Sequence, residues 1–180
     1  MRQPDGDQEN FSSPQPGGSG EWPQELLLSL LVRLNIRLQK ALDLRFKPLG
    51  MTAQEAALLL YCAEAGETSP GRIAVSMGRD KGKITRFVNR LESAKLLSRM
   101  RSARDRRAFV IKVTKRAGTL VPQLKVIFEE TRAKLFDEIP DGELERLGAA
   151  ISQMYSNAGQ LRSRTKSKGP SDGAPRGTGS

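Results

Sequence analysis

From about Pro23 to Lys47 the apolar residues recur at helical spacing, with Leu27, Leu31, Leu34, Leu38 and Leu42 forming one stripe. Leu26, Leu30, Ile36, Leu44 and Phe46 widen that stripe beyond what one partner needs. The pattern predicts a helix buried from several directions, against its own domain and against a second copy of the chain. Pro48 and Gly50 end it. Thr52-Ala-Gln-Glu55 is a capping box, in which hydroxyl and carboxylate each satisfy an orphan amide, and the helix that follows carries Ala56, Leu59, Leu60 and Ala63 as far as Gly66. Ser69 and Pro70 open a short helix, with proline at the first helical position where its missing N–H costs nothing. It continues through Ile73, Ala74 and Met77 to Gly78, placed to close it as the residue after the C-cap. Asp80 caps a third helix, which reaches about Ala94. Two helices joined by a tight glycine-containing turn predict a helix-turn-helix.

After Leu97 the period changes. Phe109, Ile111 and Val113 alternate as in a half-buried strand, and Leu97 to Arg101 is its antiparallel partner across a tip at Ser102–Arg106. Thr114 caps a long helix bearing Leu120, Leu124, Ile127, Phe128 and Leu135, kinked at Pro122 where one backbone donor is missing. A last helix starts near Asp141, with Leu144, Leu147, Ile151, Met154, Ala158 and Leu161 in a single stripe suited to a partner helix. Residues 1–20 and 163–180 lack any apolar period, are rich in Pro, Gly and Ser, and are expected to be disordered. The elements define a mainly α fold with a small β-hairpin wing, a winged helix-turn-helix over residues 52–118.

Charge sharpens this picture by its location. The chain carries a formal net charge of +10. Between Arg79 and Arg116 stand fourteen Lys and Arg against Asp80, Glu92 and Asp105, a net of +11, so the remainder of the chain is close to neutral. Such segregation is the footprint of a phosphate-binding surface, whereas a merely soluble basic protein spreads its charge.

On a helical wheel of residues 80–94, Ile84, Val88 and Leu91 cluster on one side with Phe87 beside them. Gly82, Arg86, Asn89 and Ser93 lie opposite, flanked by Lys83 and Arg90 and, across from them, Thr85. Together with Lys81, this outward face combines base-reading donors with little bulk near the helix start, as entry into a major groove requires. Arg86 suits bidentate reading of guanine and Asn89 of adenine. Gly82 allows close approach of backbone to backbone, beside amides that favour phosphate. An ordinary solvated face is the competing reading, but it usually mixes Glu with Lys. At the hairpin tip Arg104, Arg106 and Arg107 surround Asp105. Arginines on a narrow loop suit the narrow A·T-rich minor groove, and a single carboxylate can hold one of them extended. A turn charged only for solubility is the alternative there.

Other chemistries find little support. Histidine is absent, so the commonest general base and metal ligand are missing, and no cysteine cluster replaces it. Cofactors are therefore expected to be none, and an enzyme is the least favoured class. Cys62 is the single cysteine, so no intramolecular disulfide forms; it sits mid-helix without an adjacent cation, which favours a buried structural thiol over a redox sensor. The acids Asp137, Glu138, Asp141, Glu143 and Glu145 surround a helix junction, where capping is the default role. Tyr61 and Phe46 read as core aromatics. The run Leu26–Leu34 is too short for a membrane span, is broken by Arg33, and lacks the basic flank of a signal peptide. A soluble cytoplasmic protein with no membrane partner is expected.

The run Ile73-Ala74-x-x-Met77-Gly78, then Ile84-Thr85-x-x-Val88-Asn89-Arg90-Leu91-Glu92, then Asp105-Arg106-Arg107 with Thr114 nine residues after Asp105, resembles the MarR family of bacterial transcriptional regulators. The resemblance extends from about Leu26 to Leu161. It implies an obligate homodimer on a pseudo-palindromic operator in double-stranded DNA, with residues 21–47 and 119–162 as dimerisation helices. Leu27, Leu31, Leu34 and Leu38 of the first helix and Leu144, Leu147, Ile151 and Met154 of the last would carry that contact. It further implies that Arg107 is the wing residue reaching the minor groove, oriented by Asp105. By the same resemblance the protein is a repressor, released when a small aromatic or anionic effector binds between the dimerisation helices and the winged domain.

Two departures stand out. The family usually has glycine in the corner after the recognition helix, where this chain has Lys95; either Lys95 is left-handed, at a cost of roughly 1 kcal/mol, or the corner differs. Glycine is also frequent three residues after the capping threonine, where Ala117 stands and Gly118 follows. Two other functions stay open on sequence grounds: a constitutive or architectural DNA-binding protein without an effector, and a winged helix that offers its basic face to an acidic protein.

Overall fold

A computed structural model of the chain describes residues 22–101 and 109–166. Helix α1 spans Gln24–Phe46 and passes into a 3-10 turn at Lys47–Leu49. Helices α2 (Ala53–Ala65), α3 (Pro70–Ser76) and α4 (Lys81–Ser93) follow, then strands β1 (Leu97–Arg101) and β2 (Phe109–Val113), and helices α5 (Lys115–Leu135) and α6 (Asp141–Lys166). The mainly α architecture with a β-hairpin agrees with the periodicities above. The chain divides into two compact units, Met1–Arg132 and Ala133–Ser180. Most of α5 thus groups with the winged helices, although the resemblance assigns it to dimerisation. Helix α6 runs to Lys166, past Ser163 where the tail is expected to begin. Pro122 lies inside α5. No helix among the described residues is long and apolar enough to cross a membrane.

The caps form where the residue types call for them. Thr52 Oγ1 accepts from the Glu55 N–H at 3.3 Å, and the Glu55 carboxylate accepts from the Thr52 N–H at 2.8 Å, completing the capping box. A third group joins from α1: Asp43 Oδ1 accepts from the Ala53 N–H at 2.7 Å. Ser69 caps α3 through the Arg72 N–H at 3.3 Å, and Thr114 caps α5 through the Ala117 N–H at 3.2 Å. These bonds satisfy amides that a helix start otherwise leaves to water.

Helix ends are closed by left-handed residues. At the end of α3, Gly78 has φ 59°, its N–H reaches Val75 O at 3.2 Å, and the Arg79 N–H reaches Ala74 O at 3.0 Å. At the end of α4 the same double bond recurs around Lys95, also at φ 59°: Lys95 N–H to Glu92 O at 2.8 Å and Leu96 N–H to Leu91 O at 2.8 Å. Both are Schellman closures, and the second places buried Leu96 against buried Leu91. The corner therefore keeps the turn that glycine would make, with the strain of a Cβ added.

Packing in the first unit centres on α2 and α4. Leu58, Leu59, Ile73, Ile84, Val88, Ile111 and Leu124 are fully buried, joined by Phe46 from the end of α1. Phe46 stacks obliquely on Phe128 of α5 at 5.0 Å between ring centroids. Arg45, one residue earlier, donates to Ile127 O at 3.1 Å and Thr131 Oγ1 at 2.9 Å, and pairs with Glu130. Cys62 is fully buried, and burial pushes its thiol up to about 12, so it stays protonated and unreactive at neutral pH. Strands β1 and β2 pair antiparallel, Leu97 opposite Val113 and Arg101 opposite Phe109. Thr68 adds a short third member that the alternation did not foretell: it exchanges backbone bonds with Ile111 at 3.1 and 2.7 Å.

In the second unit α6 exposes most of its length.

Replacing Lys95 by Gly removes the left-handed strain and restores some chain entropy to the unfolded state. The expected outcome is a net stabilisation of about 0.5–1 kcal/mol, read as a higher urea midpoint at unchanged slope. A lower midpoint would show that the lysine side chain contributes more than its backbone costs.

Candidate nucleic-acid interface

Helix α4 is strongly two-sided. Ile84, Val88 and Leu91 are buried and Phe87 is half-buried, while Lys81, Gly82, Lys83, Thr85, Arg86, Asn89, Arg90 and Ser93 are exposed. Its start is built by Asp80, whose Oδ1 accepts from the Lys83 N–H at 2.8 Å. That bond, chiefly, holds the carboxyl below the usual carboxylate range, with the nearby Lys83 and Arg86 charges adding to it. A Cβ on Gly82 would stand 3.1 Å from Asp80 Oδ1. Glycine therefore leaves the capping carboxylate room, a local reason for the residue beside the close approach expected of it.

The cations of this face divide into two groups. Lys81, Lys83 and Arg86 make no side-chain hydrogen bond or ion pair within the described residues. Arg90, expected alongside them, turns back: its Nε lies 3.0 Å from Glu55 Oε1 and its NH2 donates to Gly50 O at 3.1 Å. Glu55 is only 2% exposed, and its other oxygen already accepts from Thr52. Arg90 thus neutralises a buried carboxylate and ties α4 to the start of α2. Thr85 donates its hydroxyl to Lys81 O at 2.8 Å, which leaves the oxygen free only as an acceptor.

A second tie reaches α4 from the hairpin. Arg99 on β1 lies with Nε 3.3 Å from Glu92 Oε2, its N–H donates to Glu92 Oε1 at 3.3 Å, and its guanidinium donates to Asn89 Oδ1. Asn89 is exposed as expected, but its acceptor oxygen is engaged while the amide NH2 stays available. Lys112 on β2 pairs with Glu67 at 2.6 Å. Hence, among the described residues, Arg90, Arg99 and Lys112 of the basic stretch form ion pairs with acids, and Lys81, Lys83 and Arg86 form none, although Lys83 and Arg86 stand near the Asp80 charge. Arg99 and Glu55 carry roles that no periodicity marks, because both act across turns of the chain. Arg104, Asp105, Arg106 and Arg107 lie outside the described residues; on the strands, Met100 and Phe109 are exposed.

The model of the MarR family matches residues 49–108. Over these residues the chain is similar to the MarR family. The match begins at the turn before α2 and ends at residue 108, so it contains the capping box, helices α2 to α4 and the Asp-Arg-Arg run. Among solved structures, the transcriptional regulator SlyA superposes with a TM-score of 0.70 at 18% identity, over 74% of this chain and 94% of SlyA. A mutant E. coli MarR complexed with operator DNA gives 0.66 at 21% identity, over 71% and 92%. CouR from Rhodococcus jostii RHA1, bound to p-coumaroyl-CoA, gives 0.64 at 24% identity, over 69% and 88%. At these identities the likeness establishes the winged-helix fold of the MarR family.

The two groups of cations are separable by stability. Arg90→Ala leaves the buried Glu55 carboxylate with its capping bonds only, and is expected to cost about 1–2 kcal/mol in urea unfolding, less than a fully buried pair because Arg90 is half exposed. Arg86→Ala is expected to change stability by no more than about 0.5 kcal/mol. Equal, negligible losses would remove the structural role assigned to Arg90.

Proposed function

We propose that this chain is a homodimeric, sequence-specific DNA-binding transcription regulator acting on double-stranded DNA in the cytoplasm, with no catalytic role. The observation that carries the proposal is the exposed cationic start of α4. Among the described residues Lys81, Lys83 and Arg86 form no ion pair and are exposed on a helix whose opposite face is buried, while Arg90, Arg99 and Lys112 are paired with acids. Three such cations on one short helix face favour an anionic partner, and the helix dimensions match a major groove. Arg86 would read a base edge, with Lys81 and Lys83 on phosphates. Asn89 would present its amide donors to a base acceptor such as a purine N7, rather than the bidentate pattern expected for adenine. The wing, with Arg104, Asp105, Arg106 and Arg107, would enter the flanking minor groove.

Two apolar faces support the dimer. On α1, Leu27, Leu31 and Leu34 are 37% to 48% exposed, and on α6, Leu147, Ile151 and Met154 are 40% to 46% exposed. Each is a row of large side chains without cover in one copy, as expected of a surface completed by a second. Leu38 and Leu144, the more enclosed members of the two rows, would border the same contact. Repression relieved by a small organic effector completes the proposal, supported by the MarR–operator and CouR–p-coumaroyl-CoA complexes among the similar folds.

For DNA binding, a site selected from a random pool is the substrate and gel shift the measurement. Arg86→Ala is expected to relax discrimination at one base step by about 1–3 kcal/mol, whereas Lys83→Ala weakens all sequences alike and makes the salt slope shallower by about one. Indifference between the selected site and random DNA would refute the sequence-specific function. For the dimer, Leu147→Asp with Ile151→Asp is expected to halve the sedimenting mass; an unchanged mass would refute the role of α6.

A further inference from the structure

Arg99 and Asn89 meet where β1 passes the second half of α4. The Arg99 guanidinium donates to Asn89 Oδ1, its Nε lies 3.3 Å from Glu92 Oε2, and its backbone N–H donates to Glu92 Oε1 at 3.3 Å. Only 35% of the Arg99 side chain is open to solvent, so these contacts with α4 hold it largely out of water. Asn89 is exposed and lies about one turn beyond Arg86 on the outward face of α4. A guanidinium carries N–H donors and no acceptor, so the amide that meets it must present its oxygen there and not its nitrogen. The NH2 group of Asn89 is then the part left for a partner, and it can only donate.

We infer that Arg99 sets which base Asn89 reads: by engaging Oδ1 it makes the amide a donor, selecting a G·C pair where an untethered asparagine takes A·T. Guanine shows two acceptors in the major groove, N7 and O6, whereas adenine shows N7 beside the N6–H2 donor. An asparagine free to use both ends of its amide pairs with adenine. With Oδ1 engaged, adenine N6–H2 meets an NH2 group or the Arg99 charge, and either repels a donor; guanine O6 is attracted by both. Arg99 is thus a positioning residue, acting on the base through Asn89. The base choice rests on the DNA-binding function proposed above, whereas the link between Arg99 and Asn89 does not.

The test uses full-length protein on a site selected from a random pool, with each base pair of that site substituted in turn and binding read by gel shift. Asn89→Ala locates the position that Asn89 reads, as the one where discrimination is lost. There wild type is expected to prefer G·C over A·T by about tenfold. Arg99→Met keeps the length of the side chain without its donors, and is expected to bring A·T to equality with G·C or beyond at that position alone. In the Asn89→Ala background the same change is expected to move no preference. A wild-type preference for A·T at that position overturns the inference, and needs no Arg99 variant to fold. Weakening of all sequences alike by Arg99→Met, as loss of a merely structural contact would give, overturns it too. A second arm works without DNA: Arg99→Met is expected to lower the urea midpoint more in wild type than in the Asn89→Ala background. Equal lowering overturns the link between the two side chains. Unequal lowering in a protein that does not distinguish the selected site from random DNA refutes the regulator function, and the base choice with it, while the link stands.

Discussion

The carboxylate of Glu55 is buried, and the arrangement of the winged domain follows from how its two oxygens are satisfied. One oxygen accepts from the amide and hydroxyl of Thr52, closing the start of α2, and the other faces the guanidinium of Arg90 on α4. An isolated carboxylate in such a place would cost several kcal/mol, so the two helices must approach in the one way that brings Arg90 to it. The same guanidinium reaches the carbonyl of Gly50, which fixes the turn from α1 as well. Three elements are thereby referred to one carboxylate, and the outward face of α4 is set as the remainder of the helix.

A related economy governs the hairpin. Arg99 joins Glu92 and Asn89, so the root of the wing and the second half of α4 move as one piece. The Schellman closure at Lys95 sets the angle between them, and Thr114 donates its hydroxyl to Lys95 O at 2.8 Å from the far end of the hairpin. A strained residue persists there because bonds on both sides over-determine its backbone. Helix α4 and the two strands are thus tied together at their common base.

Much of this was legible beforehand. The caps at Thr52, Ser69, Asp80 and Thr114 are local chemistry, set by residue type within four positions, and each forms as its sequence predicts. The apolar stripe of α4 and the left-handed corner at Lys95 are equally local. What the sequence left out is long-range. Arg90 sits on the exposed arc of the wheel, yet its partner Gly50 is 40 residues away in sequence. Thr68 carries no alternation because it contributes a single bridge to β2. Asn89 looks like a free amide until Arg99 arrives from the next element.

The sequence by itself thus determined the helices and strands, most of their boundaries and the concentration of positive charge between Arg79 and Arg116, since periodicity, capping and composition are properties of neighbours along the chain. Which of those charges remain available was decided by tertiary structure alone. An arginine is free or answered according to the acids that folding brings within about 4 Å, and Coulombic pairing at that distance outweighs position on a helical wheel. Folding answers Arg90, Arg99 and Lys112 and leaves Lys81, Lys83 and Arg86 exposed on one helix face without an ion pair among the described residues.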